Sequence, residues 1–275
     1  MGIDAQNSSI INFDCPNTLL VLGNRWTADV MKRLTFDKVC IKITGTPRND
    51  ILVNLKELDV KTKKTAMGIN PDRKILLYAP TFRDSNGEGS VADIENSGIK
   101  QIQEIKFAEL LNALANKFGG EWSIVLRFHH YVASKINWKS FEDKYGDRII
   151  NGNTFDDMAD YLQISDVLIT DASSSFFDYA LTKRPCFLFF PDVEKYCNER
   201  GLYFSFSEMP FPMSRTFQEL IKSIGDFDVD SYVNGCSGFL DKIGNSDDGS
   251  STERIVSIIN DLINNSDEIM QEKKV

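Results

Sequence analysis

Hydrophobic residues along this chain occur in short runs that alternate with segments of helical periodicity, most clearly at residues 164–190. Two apolar runs, at 167–170 and 186–190, are too short for helices and contain no charged residue, as is typical of strands buried on both faces of a parallel sheet. Between them, residues 174–181 place apolar side chains on one helical stripe: Phe176, Phe177, Ala180 and Leu181. This stretch predicts a strand, a helix and a second strand, joined in the usual right-handed sense.

The same alternation extends over most of the chain. It predicts further strands at residues 18–22, 39–44, 74–79, 122–128 and 148–150, and helices at 26–34, 51–58, 107–118, 134–145, 155–162, 216–224 and 252–263. Surface loops are predicted at 85–100 and 196–206. Strands alternating with helices predict an α/β fold, with a Rossmann-like, mainly parallel sheet and helices on both of its faces. A break in regular structure at 45–50 predicts a domain boundary after residue 44.

Polar side chains follow three of the predicted strands, in the turns at residues 80–84, 127–130 and 170–175. Ligands of parallel α/β sheets bind beyond the carboxyl ends of the strands, so we expect these turns to face one crevice. Arg83 and Arg127 supply positive charge there, and His129 supplies a titratable donor. The residues predict a phosphate site without specifying a reaction.

The turn at 170–175 also allows a simpler reading. Its small residues and hydroxyls stand where a helix begins, and the free N–H groups of a helix start suit a phosphate. However, Asp171 or Ser173 could do no more than cap that helix. The six residues of the turn, taken alone, favour capping.

Composition narrows the class of partner and the compartment. The net charge of −9 argues against a nucleic-acid partner, because phosphate backbones bind to basic surfaces. No apolar run reaches the roughly eighteen residues of a membrane span, and the first residues lack the features of a secretion signal. Five cysteines without Cys-x-x-Cys spacing indicate a reducing cytoplasm. No metal is expected, since the only histidines are the adjacent His129 and His130.

Seven stretches in order resemble the CDP-glycerol glycerophosphotransferases, which build teichoic acids and related polyol-phosphate polymers. They are GTPRND at 45–50, YAPTFRD at 78–84, VLRFHH at 125–130, SDVLITDASS at 165–174, KRP at 183–185, RGLYFSF at 200–206 and DDGSSTER at 247–254. Each stretch is short, but together they keep the order of the family and cover most of the chain from Gly45 onward.

The resemblance implies a GT-B architecture, with two Rossmann-like domains around a cleft. Residues 45–275 resemble the C-terminal domain, which holds the nucleotide, and residues 1–44 resemble the end of the N-terminal domain. The family's N-terminal domain carries a His-Gly-Thr-Pro motif whose histidine is proposed as the catalytic base, and this sequence lacks it. The chain would therefore be a fragment of a longer enzyme, work with a separate chain, or have lost turnover. A second departure is Ala172, where the family usually has tyrosine.

The chemistry implied is transfer of glycerol phosphate from CDP-glycerol to a polyol hydroxyl, with release of CMP. We expect His129 and Arg127 to be catalytic and to stabilise the leaving oxygen together with the serine turn. The expected residues that bind the diphosphate are Thr81, Arg83, Thr170, Asp171, Ser173, Ser174 and Ser175. Arg48 and Asp248 are expected only to support the site. No cofactor is expected, since the activated donor is itself a substrate.

Further partners also follow from the resemblance. They are a nucleotide-activated polyol, a lipid-linked acceptor and an N-terminal GT-B domain in the same or another chain. This implies a cytoplasmic protein, peripheral at the inner face of the cell membrane. Two alternatives remain open at this point: a GT-B glycosyltransferase that uses a nucleotide sugar, and a non-catalytic nucleotide-binding module that needs a partner domain.

Overall fold

The computed structural model describes residues 19–35, 39–81, 102, 105–155 and 157–264. These residues form two compact units. Residues 55–239 make up the large unit, and residues 19–54 with 240–264 make up the small unit. The chain therefore divides at 54/55 and again at 239/240, whereas the sequence predicted a boundary at 44/45. The assignment of residues 1–44 to the end of a preceding domain stays a prediction.

A six-stranded parallel sheet forms the centre of the large unit. Its strands are β3 (Lys74–Tyr78), β4 (Trp122–Leu126), β5 (Ile149–Asn151), β6 (Val167–Thr170), β7 (Cys186–Phe189) and β8 (Met213–Ser214). Their order across the sheet is β5-β4-β3-β6-β7-β8, and every neighbouring pair is parallel. The order reverses between β3 and β6, as in doubly wound dinucleotide-binding folds.

The strands form where the sequence has apolar runs, because both faces of the sheet are covered. All residues of β4, β6 and β7 are buried, and in β3 only Lys74 is partly exposed. A strand of this kind cannot alternate apolar and polar residues, since it has no solvent face. This explains why the runs in the sequence are continuous.

Helices cover both faces of the sheet. In the large unit they are α3 (Glu57–Ala66), α4 (Phe107–Phe118), α5 (His130–Ala133), α6 (Trp138–Tyr145), α7 (Met158–Ile164), α8 (Ser175–Ala180), α9 (Val193–Arg200) and α10 (Phe217–Gly225). From the reversal, the strand order proceeds one way through β4 to β5 and the other way through β7 to β8. Because the crossovers are right-handed, the helices on the two sides of the reversal lie on opposite faces of the sheet. In agreement, α4 packs with α10, whereas α3 packs with α7. The long helix α11 (Val229–Ile243) contains the division at 239/240.

Helix α4 illustrates how the sequence encodes these elements. Its buried residues recur at helical spacing: Phe107, Leu110, Leu111 and Leu114. Gly119 follows with a φ of 68° and ends the helix in a conformation that residues with a Cβ rarely adopt.

The small unit pairs β1 (Leu19–Leu22) with β2 (Cys40–Ile43) in parallel. Helix α1 (Arg25–Thr35) connects them, and the side chain of Asn24 accepts the N–H of Thr27 in its first turn. A 3-10 turn (Pro47–Asn49) and the short helix α2 (Asp50–Val53) follow β2. Helix α12 (Ser251–Asn264) completes the described part of this unit.

The predicted α/β fold with a parallel sheet is confirmed, and its central unit is observed at β6, α8 and β7. Several element predictions differ from the structure. Residues 51–58 hold the end of α2 and the start of α3 rather than one helix, and residues 196–206 contain part of α9. The short elements α5 and β8 and the long helix α11 were not predicted. The predicted loop at 85–100 lies outside the described residues.

Gly152, directly after β5, allows a close approach to β4. A Cβ at this position would lie 2.7 Å from Val125 Cγ1 and 2.8 Å from the carbonyl oxygen of Leu126. We expect Gly152→Ala to lower the free energy of unfolding by about 1–3 kcal/mol, the usual cost of overpacking. Urea denaturation measures the change. A matched control is Gly238→Ala in α11, where no atom lies within 4 Å of the added Cβ and helix propensity predicts a gain of about 0.5–1 kcal/mol. Equal effects of the two substitutions would contradict the steric argument.

Candidate functional site

Three turns are neighbours at the carboxyl edge of the large sheet. They follow β4, β3 and β6, which are adjacent in the sheet in that order. Neighbouring strands are about 4.8 Å apart, so the turns after β4 and β6 are separated by roughly 10 Å, with the turn after β3 between them. The turns that the sequence singled out therefore border one crevice, at the point where the strand order reverses.

A buried carboxylate joins two of these turns. Asp171, only 1% exposed, follows β6, and its Oδ1 accepts the N–H of Thr81 at 2.7 Å and also the Thr81 hydroxyl. Thr170 contributes a second link, because its hydroxyl donates to the carbonyl oxygen of Ala79 at 2.6 Å. The observed contacts of Asp171 and Thr170 thus hold the β6 turn against the β3 turn.

The serine turn is partly open to solvent. Ser174 is exposed, Ser173 is half-buried and Ser175 is buried. Ser173 Oγ accepts the N–H of Ser175 at 3.2 Å and lies 2.8 Å from Ser175 Oγ. Ser173 therefore does bond the start of α8, as in the simpler reading of the sequence, and the hydroxyl of Ser174 makes no capping hydrogen bond.

The turn after β4 presents the two histidines side by side. His129 is half-buried and directly precedes α5, whereas His130 is exposed. Their ring centroids are 4.2 Å apart. Burial, and secondly the charge of His130, lowers the pKa of His129 below its ordinary value of 6.5. At neutral pH His129 is therefore mainly a neutral imidazole, which can donate one hydrogen bond and accept another.

Arg127 points its guanidinium toward the loop after β5. Its Nη1 donates to the carbonyl oxygens of Gly152 at 2.7 Å and Phe155 at 2.8 Å. The guanidinium carbon also lies 4.9 Å from the ring centroid of Tyr161, within the range of a cation–π contact. These contacts brace the loop, and the catalytic role that the resemblance implied for Arg127 stays a prediction.

The sequence analysis did not single out Asn153, whose side chain bonds the backbone of Phe128 next to His129. The tripeptide Asn151-Gly152-Asn153 after a short strand did carry a turn signal. Nothing in it indicated which backbone the amide would bind, because that partner lies 25 residues earlier in the chain.

The other predicted residues are not part of the three turns as the structure describes them. Arg83 is outside the described residues. Arg48 is exposed in the 3-10 turn of the small unit, and Asp248 is exposed in the same unit.

In the small unit, the GTPRND and DDGSSTER stretches bind each other. Asp50 accepts the N–H groups of Ser251 at 2.9 Å and Thr252 at 2.8 Å, at the start of α12. Asp247 accepts the N–H of Thr46 at 2.5 Å. A carboxylate of the chain itself therefore occupies the helix start, where an anionic ligand would otherwise be favoured.

Arg254 reinforces this pairing at the carboxyl end of β2. It donates to the carbonyl oxygens of Thr44 at 2.8 Å and Ser246 at 2.9 Å, and to Asp248 Oδ2 at 2.8 Å. The hydrogen bond from Arg254, followed by one from the Ser250 N–H, lowers the pKa of Asp248 to about 2. The observed contacts of Asp248 are thus with its own loop and with the first turn of α12.

Aromatic residues beyond β6 and β7 enclose a small cavity. Tyr203, Phe204 and Phe206 line it, and its volume is about 30 Å³. This is the volume of about one water molecule, so the cavity is too small for a nucleobase. The geometry therefore favours packing of these aromatic side chains over a nucleoside pocket.

Within the described ranges, no three side chains of His, Cys, Asp or Glu are grouped so as to hold a metal ion. In the same part of the chain, no helix combines the length and apolar character needed to cross a bilayer.

The parallel sheet, the reversal of its strand order and the polar turns beside that reversal define a doubly wound α/β domain. Comparison with known proteins gives its family. The chain belongs to the CDP-glycerol:poly(glycerophosphate) glycerophosphotransferase family, whose model matches residues 6–261.

Several relatives are teichoic acid enzymes. The chain is 32% identical over 246 residues to the teichoic acid poly(glycerol phosphate) polymerase of Bacillus subtilis (strain 168), covering 87% of this chain and 31% of that protein. It is 31% identical over 224 residues to the teichoic acid glycerol-phosphate transferase of Staphylococcus aureus (strain NCTC 8325 / PS 47), covering 78% of this chain and 53% of the relative.

Solved structures agree with this relationship. A structure of the wall teichoic acid polymerase TagF matches with a TM-score of 0.71 and 27% sequence identity, over 90% of this chain and 58% of that one. The chain therefore spans between about a third and about three fifths of the length of these relatives.

The pairing at Asp50 has a testable energetic consequence. We expect Asp50→Ala to destabilise the small unit by about 1 kcal/mol, because two N–H groups of α12 lose their acceptor. Hydrogen exchange of the Ser251 and Thr252 amides measures the loss directly. Asp29→Ala, at an exposed residue of α1 with a 3.7 Å ion pair to Lys32, is the matched control and is expected to leave both amides unchanged.

The stabilisation of the folded state by the Asp50 carboxylate decreases on acidification. Burial raises the pKa of Asp50, but the hydrogen bonds from Thr252 and Ser251 outweigh it and hold the pKa below 3.8. A lowered pKa stabilises the folded state above the unfolded pKa, and this contribution is lost as pH falls through the folded pKa. The difference between wild type and Asp50→Ala is therefore full at pH 7 and shrinks below about pH 4. A difference that grows on acidification would contradict the assigned role.

Proposed function

We propose that this chain is a CDP-polyol glycerophosphotransferase, or the donor-binding part of one, in the synthesis of a teichoic-acid-like polymer. Family membership supports the reaction class. The observation that carries the proposal within the structure is the link from Asp171 to Thr81, which joins two polar turns at the reversal of the strand order. Doubly wound sheets bind nucleotides at this position.

The donor diphosphate would lie across the three turns. Ser173 and Ser174 would face it at the accessible start of α8, and His129 would reach it from the other side of β3. Thr81 lies between them. Arg83, in the turn after β3, remains a proposed cation for the diphosphate. Asp171 would act by holding the turns together, since a carboxylate in contact with a phosphate would repel it.

In the proposed reaction, an acceptor hydroxyl attacks the phosphorus that carries glycerol. The bond from this phosphorus to the bridging oxygen breaks, CMP leaves with the bonding electrons, and the acceptor loses its proton. Negative charge grows on the leaving oxygen, so a donor already in place there stabilises the transition state more than the ground state. His129 suits this role, because its neutral imidazole can donate an N–H at pH 7.

The base that removes the acceptor proton is proposed to come from an additional domain. The sequence contains only His129 and His130, and neither lies in the His-Gly-Thr-Pro motif of the family. The matched relatives are considerably longer than this chain. A lipid-linked acceptor, and with it a location at the inner surface of the cell membrane, belongs to the same proposal.

Calorimetry tests the choice of donor. We expect CDP-glycerol or CDP-ribitol to bind the chain and UDP-sugars not to bind. Binding of a UDP-sugar without binding of either CDP-polyol would reject the proposal in favour of a nucleotide-sugar glycosyltransferase. CMP release by the chain alone is then measured. Robust turnover would exclude a non-catalytic binding module that needs a partner.

The role of His129 is tested by His129→Ala, with His130→Ala as the matched control. In the complete enzyme, loss of a positioned acid–base group is expected to slow CMP release by roughly 10²–10⁴-fold, and His130→Ala is expected to change it little. Thermal unfolding shows whether both variants remain folded. If His129→Ala retains full CMP release, the assigned role is wrong.

A further inference from the structure

The loop after β5 is bonded to the backbone that carries His129. One side chain makes this contact with two atoms. Asn153 Oδ1 accepts the N–H of Phe128 at 3.2 Å, and Asn153 Nδ2 donates to the carbonyl oxygen of the same residue at 2.5 Å. Asn153 thus pairs both backbone polar groups of the residue directly before His129.

A second side chain, from the turn after β4, bonds the loop after β5. Arg127, in the turn after β4, donates from Nη1 to the carbonyl oxygens of Gly152 and Phe155 in the loop. The N–H of Phe155 in turn donates to the hydroxyl of Tyr161 at 3.3 Å, and Arg127 lies over the Tyr161 ring. The turn and the loop therefore hold each other through reciprocal side-chain contacts.

Strand pairing does not extend as far as His129. The registers of β4 with both of its neighbours end at Leu126, opposite Tyr78 on one side and Asn151 on the other. One further bond runs from the N–H of Arg127 to the carbonyl oxygen of Tyr78 at 2.9 Å. Phe128 lies beyond these bonds, and the amide of Asn153 takes the place of a neighbouring strand.

We propose that Asn153 and Arg127 are positioning residues, which set the place of the His129 imidazole and act on the reaction through it. This assignment rests on the proposed function and changes the part expected of Arg127 from stabilising the leaving oxygen to bracing the turn. The chemistry favours it, because a side-chain amide carries both a donor and an acceptor and can therefore replace a peptide group of a strand in both directions. Likewise, Arg127 Nη1 bonds two carbonyl oxygens of the loop.

Kinetics give the first test. In Asn153→Ala, His129 loses its fixed position, so CMP release at saturating CDP-glycerol is expected to slow by roughly 10–100-fold. The KM for CDP-glycerol is expected to stay within about threefold, since the donor loses no contact. A raised KM with an unchanged kcat would overturn the proposal, because it would mean that Asn153 binds the donor. Arg127→Gln is expected to show the same pattern. A raised KM in that variant would overturn its positioning role, because it would indicate that Arg127 contacts the phosphate of the donor.

The histidine resonances give a second test that requires no turnover. His129 and His130 are the only histidines, so His130→Gln assigns the imidazole signals in an NMR titration. Burial keeps the pKa of His129 below 6.5 in the intact turn, and its neighbouring titratable group is His130. In Asn153→Ala we expect this pKa to rise toward its ordinary value as water reaches the ring, and the Phe128 amide to exchange faster.

Asn137→Ala is the matched control, since Asn137 is exposed and its side chain accepts the N–H of Ser140 at the start of α6. It removes the same amide and is expected to leave the His129 pKa, Phe128 exchange and the kinetics unchanged. An unchanged His129 pKa and unchanged Phe128 exchange in Asn153→Ala would overturn the positioning role. A wild-type chain that binds no CDP-polyol would instead reject the proposed function, and the NMR comparison would still decide whether Asn153 positions His129.

Discussion

The placement of β3 between β4 and β6 is the constraint on which the candidate site depends. Parallel pairing occupies both edges of β3, and helices cover both faces of the sheet, which accounts for its continuous apolar run. Through the same pairing, the β3 turn neighbours two turns that lie about 50 and 90 residues further along the chain. Because the strand order reverses here, helices on opposite faces leave this edge of the sheet open for a ligand.

Beyond the ends of the strands, hydrogen bonds from side chains connect the turns to each other. Asp171 binds the turn after β3, Arg127 binds the loop after β5, and Asn153 binds the backbone of Phe128. Buried polar groups must be paired, so each of these bonds both satisfies a group and fixes the shape of a turn. Among the described turns, Ser174 is exposed and His129 half-buried, and the proposed function assigns ligand contacts to these side chains.

The small unit shows that a family-like stretch need not be a ligand site. GTPRND and DDGSSTER both contain residues that commonly bind phosphate, yet their described contacts are with each other. The carboxylate of Asp50 and the guanidinium of Arg254 satisfy the ends of α12 and β2, which are the positions where an anion or a nucleotide could otherwise bind. These contacts give both stretches a role in folding, and the supporting role predicted for Arg48 and Asp248 stays a prediction.

The sequence by itself determined most strands of the sheet and most of the amphipathic helices, because a continuous apolar run or a helical stripe is a local pattern. It missed the two-residue strand β8. It also missed α11, which contains Gly235 and Gly238, and α9, a polar segment in which Val193 and Tyr196 are buried against Phe190. Such helices depend on packing rather than on propensity. The tertiary structure alone decided that Asn153 binds Phe128 and that Asp50 binds the start of α12. A polar side chain accepts any suitable partner, and only the folded chain determines which one lies within reach.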